Sequence, residues 1–202
     1  IEELFKSTIS SYKDKPTNGT YSGYTWWLEE VTELPVNITA AGYASFYAPV
    51  AVTIPSEIEA YYLTNIIGEF ASMTKIESGI IPANTGVMLT GENGEPAESN
   101  TYNFTITDDI DPIEDNMFNG SAAAEYVTGD AYVLANGNNG VGLYLATLNQ
   151  EGKFKNNSHK AYLLKSVLYP AAQMSAGFRF RFDGGVTTEI EEVESINENV
   201  EI

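Results

Sequence analysis

The sequence predicts an all-β domain, a sandwich or barrel of about a dozen short antiparallel strands preceded by a short N-terminal helix. Three observations carry this. Tyr and Phe are abundant, at 13 and 9 of 202 residues, and both suit a pleated, half-buried surface. Apolar residues alternate with polar ones over short runs, most clearly in Phe178-Arg179-Phe180-Arg181-Phe182. Gly, Pro and Asn punctuate those runs at short intervals, as turns between strands require.

Taken in order, Ile1, Leu4, Phe5, Ile9 and Tyr12 fall near helical spacing and predict the short helix. Pro16, Asn18-Gly19 and Ser22-Gly23 make residues 15–23 a turn-rich linker. Residues 24–32 read as a strand bearing Trp26 and Trp27. In 43–54, Ala44, Phe46 and Ala48 alternate with Tyr43, Ser45 and Tyr47. Pro49 interrupts the run, which makes it an edge strand, a bulged strand or two strands. Residues 61–67 and 70–76 flank Gly68-Glu69 and predict a hairpin with a two-residue loop. Ile80-Ile81 lead through Pro82 and a turn at 84–86 into Val87-Met88-Leu89, with Gly86 expected at positive φ. Residues 92–100 read as a polar loop. Tyr102, Phe104 and Ile106 alternate with Asn103, Thr105 and Thr107 in a half-buried strand. Residues 108–116 form an acidic loop. Residues 131–135 and 141–146 make a second hairpin around the Asn/Gly run 136–140. Strands follow at 161–167 and 178–182, and Gly184-Gly185 turns into 186–193 before an acidic tail. The expected organisation is therefore helix and linker over 1–23, a β domain over 24–193 and a tail over 194–202.

Composition excludes several functions. With 28 acidic and 10 basic residues, the formal charge of −18 argues against nucleic-acid binding and against docking to an anionic membrane. The absence of Cys removes disulfides, thiolate metal sites and Cys nucleophiles. A single histidine, His159, excludes multi-histidine metal sites, and its polar flanks read as an exposed loop. No apolar run approaches the ~20 residues of a membrane-spanning helix. The acidity is uneven. Residues 56–115 hold 12 acids against Lys75 alone, and residues 189–202 hold 6 glutamates and no base. Residues 116–188 are mildly basic; Arg179 and Arg181 read either as a plain solvent face opposite the Phe face or as partners of acidic side chains on a neighbouring strand or in the Glu-rich tail.

Two clusters stand out as candidate sites. Tyr21, Tyr24, Trp26 and Trp27 gather aromatic faces of the kind that stack on sugar rings. The plain alternative is that adjacent tryptophans point to opposite faces of a strand and at least one is core. Asp108, Asp109, Asp111, Glu114 and Asp115 offer dense oxygen ligands in a loop, as Ca²⁺ requires. Their spacing does not match an EF-hand loop, and the ordinary reading of such a run is a solvated acidic loop. Catalysis has little support. No GxSxG elbow surrounds a serine, and chance carboxylate pairs are inevitable among 28 acids, so a glycoside hydrolase fragment is the weakest reading. The N-x-S/T matches at Asn18, Asn37, Asn103, Asn119 and Asn156 read as by-products of strand and turn composition.

One ordered set of motifs runs through the chain. GYASFYAPVAVTIP (42–55) is followed by GIIPANTGVMLTG (79–91), AYVLA (131–135), VGLYL (141–145), NSHKAYLL (157–164) and GFRFRFD (177–183). The set resembles a β-rich domain common near the C-termini of secreted and surface proteins of Bacteroides-type bacteria. The resemblance spans about 42–193, with a longer segment, 148–160, before the AYLL run. It implies a non-catalytic structural, adhesion or binding module at the cell surface or outside the cell, joined to neighbouring domains of a longer polypeptide. The resemblance implies no known ligand; the partners considered are polysaccharide, through the aromatic cluster, or other surface proteins. No cofactor is expected beyond a candidate Ca²⁺ in the acidic loop. The opening Ile1, in place of Met and without a leader pattern, also reads as a piece of something longer.

Overall fold

The computed structural model describes residues 19–21, 24–26, 31–137 and 139–183. Among them the backbone is built from strands and three single-turn 3₁₀ helices, with no α-helix. The all-β expectation therefore holds. The expected N-terminal helix, the 186–193 run and the acidic tail lie outside the described residues.

The strands are β1 (Gly19–Tyr21), β2 (Tyr24–Trp26), β3 (Glu33–Ile38), β4 (Ala44–Ala48), β5 (Val52–Thr53), β6 (Glu59–Ile67), β7 (Phe70–Lys75), β8 (Ile80–Ile81) and β9 (Thr85–Thr90). They continue with β10 (Asn100–Ile106), β11 (Asn119–Ser121), β12 (Glu125–Thr128), β13 (Ala131–Gly137), β14 (Gly140–Leu145), β15 (Lys153–Asn156), β16 (Lys160–Leu164) and β17 (Gly177–Phe182). Nine of them form one sheet in the order β11-β16-β13-β14-β17-β7-β6-β9-β4. Four form a second, β3-β10-β5-β8, while β12-β15 and β1-β2 are separate ribbons.

The large sheet curls until its two ends meet, without a ladder to close it. Tyr47 N–H in β4 donates to the His159 carbonyl at 3.2 Å, just before β16. Phe178, Phe180 and Phe182 of β17 point into the curl and meet Tyr132, Tyr61 and Tyr43. The period-2 signal in FRFRF is thus the inner face of the curled sheet, and Arg179 and Arg181 lie on the other side. The outer face of β4, β9 and β6 packs against the four-stranded sheet, where Phe46 meets Phe104 at 5.2 Å between ring centroids. β9 is the shared wall: all its residues are buried, with Met88 in the inner core and Val87 and Leu89 in the outer one. The β12-β15 ribbon covers the far side of the curl, laying Phe154 on Tyr162 and Ala131.

Several local expectations are met and others corrected. The β6–β7 hairpin turns through Gly68 at φ 60°, a first-position glycine suited to a II′ turn. β13 and β14 form the second hairpin. Tyr102, Phe104 and Ile106 face the outer core while Asn103 and Thr105 are exposed. Pro49 resolves into two strands, because the chain changes sheets there, β4 belonging to the curl and β5 to the smaller sheet. Gly19–Tyr21, expected in a linker, pair with β2. The segment 148–160 is not all loop, since β15 lies inside it.

Not every pair is antiparallel: β17 runs parallel to β7, with Arg179 opposite Phe70. A parallel pair needs a long crossover, and the nine strands between them in the chain supply it. Gly86 is not at positive φ; Asn84 takes that conformation at φ 58°. Gly86 is required for another reason. A Cβ there would sit 2.9 Å from Phe118 Cβ and 3.1 Å from Ala161 Cβ. Ala161 is the small residue that the late strand needs at this contact.

Candidate functional site

A groove of about 580 Å³ opens where the two sheets and the acidic loop come together. Its position follows from the crossover at Pro49. Leaving β4, the chain must turn outward to join the smaller sheet, which places Val50 and Ala51 beside the end of β10. There Thr107 N–H donates to the Ala51 carbonyl at 3.0 Å and Ile106 N–H donates to the Thr32 carbonyl at 2.8 Å. On the other side Asn84 N–H donates to the Ala48 carbonyl at 2.8 Å, bringing in Ala83. The apolar floor is formed by Val50, Ala51 and Ile106, and Val31 stands 41 % exposed at the rim.

Asp108 and Asp109 line the same groove. Asp109 Oδ1 accepts the N–H of Ala83 at 2.9 Å and the N–H of Ile110 at 3.0 Å, so the carboxylate staples the acidic loop to the turn before β9. Asp111, Glu114 and Asp115 continue the loop beyond the groove, with Asp115 at φ 27°. None of the five carboxylates has an ion-pair partner among the described residues. No three of the carboxylates converge as a cation cage would need. Asp109 is tied to backbone donors through Oδ1.

The aromatic cluster is placed only by its backbone. The β1–β2 register sets Tyr21 opposite Tyr24 and Gly19 opposite Trp26. Trp27 lies outside the described residues.

His159 is not the exposed loop residue that its polar neighbours suggest. It is half-buried at the seam of the curled sheet, at φ 56°. Its Nδ1 lies 3.0 Å from the Tyr47 carbonyl, which can only accept, so Nδ1 carries the proton. Lys160 Nζ donates to the Ser45 carbonyl at 3.2 Å, and burial pulls its ammonium below the usual lysine range.

A second polar cluster closes one end of the curl. Glu59 Oε2 accepts the Tyr61 hydroxyl at 2.6 Å and the Asn93 N–H at 2.8 Å, while Oε1 pairs with Lys75. Burial alone would raise the Glu59 carboxyl. The hydrogen bonds from Lys75 and Tyr61, the Lys75 charge and the Asn93 N–H outweigh it and hold the carboxyl below its ordinary value. Tyr43 donates to the Gly94 carbonyl at 3.1 Å, and burial with the nearby Glu95 charge pushes its hydroxyl up to about 12. No buried side-chain nitrogen or oxygen among the described residues lacks a partner.

The Arg pair finds an aromatic partner as well as an acidic one. Arg179 Nη2 bonds Glu69 Oε1 at 2.8 Å. The guanidinium carbons of Arg179 and Arg181 stand 4.8 and 4.3 Å from the centroid of the Phe70 ring. The acidic neighbour sits in the β6–β7 turn.

The groove is what residue-by-residue reading missed. Asp108 and Asp109 were legible as a cluster. Val31, Val50, Ala51 and Ala83 carried no signal beyond the strand break at Pro49, because they meet only through the change of sheet. Comparison with family models, with curated proteins and with solved structures finds no match to this chain.

Proposed function

We propose that this chain is a non-catalytic binding or adhesion module of a secreted or cell-surface bacterial protein, joined to other domains. The groove between the sheets carries the reading: it is open, mixed in polarity and lined by the segments that connect the strands, with Ile106 at the end of β10. Pockets of a few hundred Å³ with an apolar floor and a few fixed polar groups are the usual form of a binding site. The chain's displaced titrating groups fit the non-catalytic half of the reading. Glu59 is held ionised by Lys75 and Tyr61, the reverse of a carboxyl raised to serve as a general acid. Lys160 and Tyr43 are engaged with backbone carbonyls, of Ser45 and Gly94. The motif resemblance supports a surface setting.

A second reading is carbohydrate binding through Tyr21, Tyr24, Trp26 and Trp27. The β1–β2 register supports it by setting Tyr21 opposite Tyr24 on one short ribbon. A glycan array separates the two. Under the first reading, Trp26→Ala leaves ligand binding unchanged and Val50→Glu removes it. Sugar hits abolished by Trp26→Ala and untouched by Val50→Glu would replace the groove with the ribbon. Turnover of a polysaccharide panel would overturn the non-catalytic reading.

A further inference from the structure

The groove has two kinds of wall, and together they specify an occupant. The apolar floor of Val50, Ala51 and Ile106 suits an aliphatic stem. The acidic side carries Asp108, which has no hydrogen-bond or ion-pair partner among the described residues, and Asp109, fixed by two backbone donors. Val31 and Ile110, at 41 % and 36 % exposed, add apolar surface at and beside the acidic rim. Lys75 is the single base in residues 56–115, and Glu59 engages it. The negative field at the groove is therefore not neutralised by the stretch that creates it.

A neutral sugar could donate hydroxyls to these carboxylates but would leave their charge unpaired, and an acidic ligand would be repelled. A bare divalent cation would gain nothing from the floor and would meet no three carboxylates together. Lys and Arg combine an apolar stem with a charged head, which matches both walls at once. A space of about 580 Å³ holds more than one side chain. We infer that the groove docks an extended segment of a partner protein in which Lys or Arg adjoins an aliphatic residue. This inference rests on the reading of the chain as a binding module.

The test titrates a fluorescein-labelled Lys-Val-Lys-Val-Lys peptide into the whole chain, with Glu-Val-Glu-Val-Glu as control. The expected result is saturable binding below about 1 mM at 50 mM salt, weakened at least about fivefold at 500 mM salt. Asp108→Asn should weaken it about 3–10-fold and Val31→Ser about 2–5-fold, both with an unchanged melting temperature. Glu125→Gln, on β12, should leave it unchanged. No saturation by 1 mM overturns the inference. So does a loss with Glu125→Gln as large as with Asp108→Asn, which would mean diffuse charge attraction, and so does displacement of the peptide by submillimolar CaCl₂. If the peptide fails and a glycan array gives a hit, the ligand class falls and the module reading stands. If both fail, both readings fall.

Discussion

Tyr47 and His159, 112 residues apart, join the two ends of the curled sheet through Tyr47 N–H to the His159 carbonyl and His159 Nδ1–H to the Tyr47 carbonyl. His159 does this at φ 56°, where most side chains are strained. His159→Ala should therefore lower stability by about 1–2 kcal/mol, losing the side-chain bond while keeping the strained backbone. His159→Gly loses the same bond but relieves the strain, and should be milder by about 0.5–1 kcal/mol. Urea midpoints of the two variants check the order. Equal midpoints would mean that the backbone geometry at 159 carries no strain.

Two glycines separate packing from backbone strain. Gly86→Ala forces a Cβ against Phe118 and Ala161 inside the curl and should cost about 1–3 kcal/mol. Gly68→Ala meets nothing within 4 Å but must hold φ 60°, and should cost about 1 kcal/mol. Thermal denaturation compares them. Restoring Gly86→Ala with Ala161→Gly should recover part of the loss, while the same second change should do nothing for Gly68→Ala.

Phe70 beneath two guanidinium groups predicts a coupling that salt barely touches. A double-mutant cycle of Phe70→Leu with Arg181→Met should give about 0.5–1 kcal/mol. The exposed Glu69–Arg179 pair should give less, about 0–1 kcal/mol, and fade at high salt. A zero coupling for Phe70 with Arg181 would reduce the contact to proximity.

Glu59 sets an acid limb. Its folded carboxyl titrates below the unfolded value, so its contribution is present above about pH 4.3 and is lost as pH falls through the folded value. Glu59→Gln should be less stable than the parent by about 1–2 kcal/mol at pH 7, and the gap should narrow toward pH 3. Chemical denaturation across that range measures it. A gap that stays constant would show that Glu59 acts through shape and not through charge.

Much of this fold is written in local pattern. The alternation in 178–182 and in 102–106, and the Gly68 turn, follow from side-chain period and backbone freedom, both local properties. The alternation of Leu34, Val36 and Ile38 with Glu33, Pro35 and Asn37 in β3 is of the same kind, and only Pro35 obscures it. What local pattern does not contain is which sheet a strand joins. The sheet change at Pro49, the parallel β7–β17 pair and the half-burial of His159 all depend on contacts between residues far apart in the chain. The groove belongs with these, since Val31, Val50, Ala83 and Asp108 become neighbours only after the sheets have formed. The acidic loop was visible as charge, but its tether, Asp109 on Ala83 N–H, is a tertiary bond.

The most direct measurement of the central claim is an amide chemical-shift map of the ¹⁵N-labelled chain, titrated in parallel with the Lys-Val peptide and with a mixture of oligosaccharides. A binding module built on the groove predicts peptide-induced shifts at Thr32, Val50, Ala51, Ala83, Thr107 and Asp108, with the β13–β14 hairpin silent. Shifts confined to Tyr21–Trp26 on adding sugars, with no response to the peptide at the groove, would contradict it.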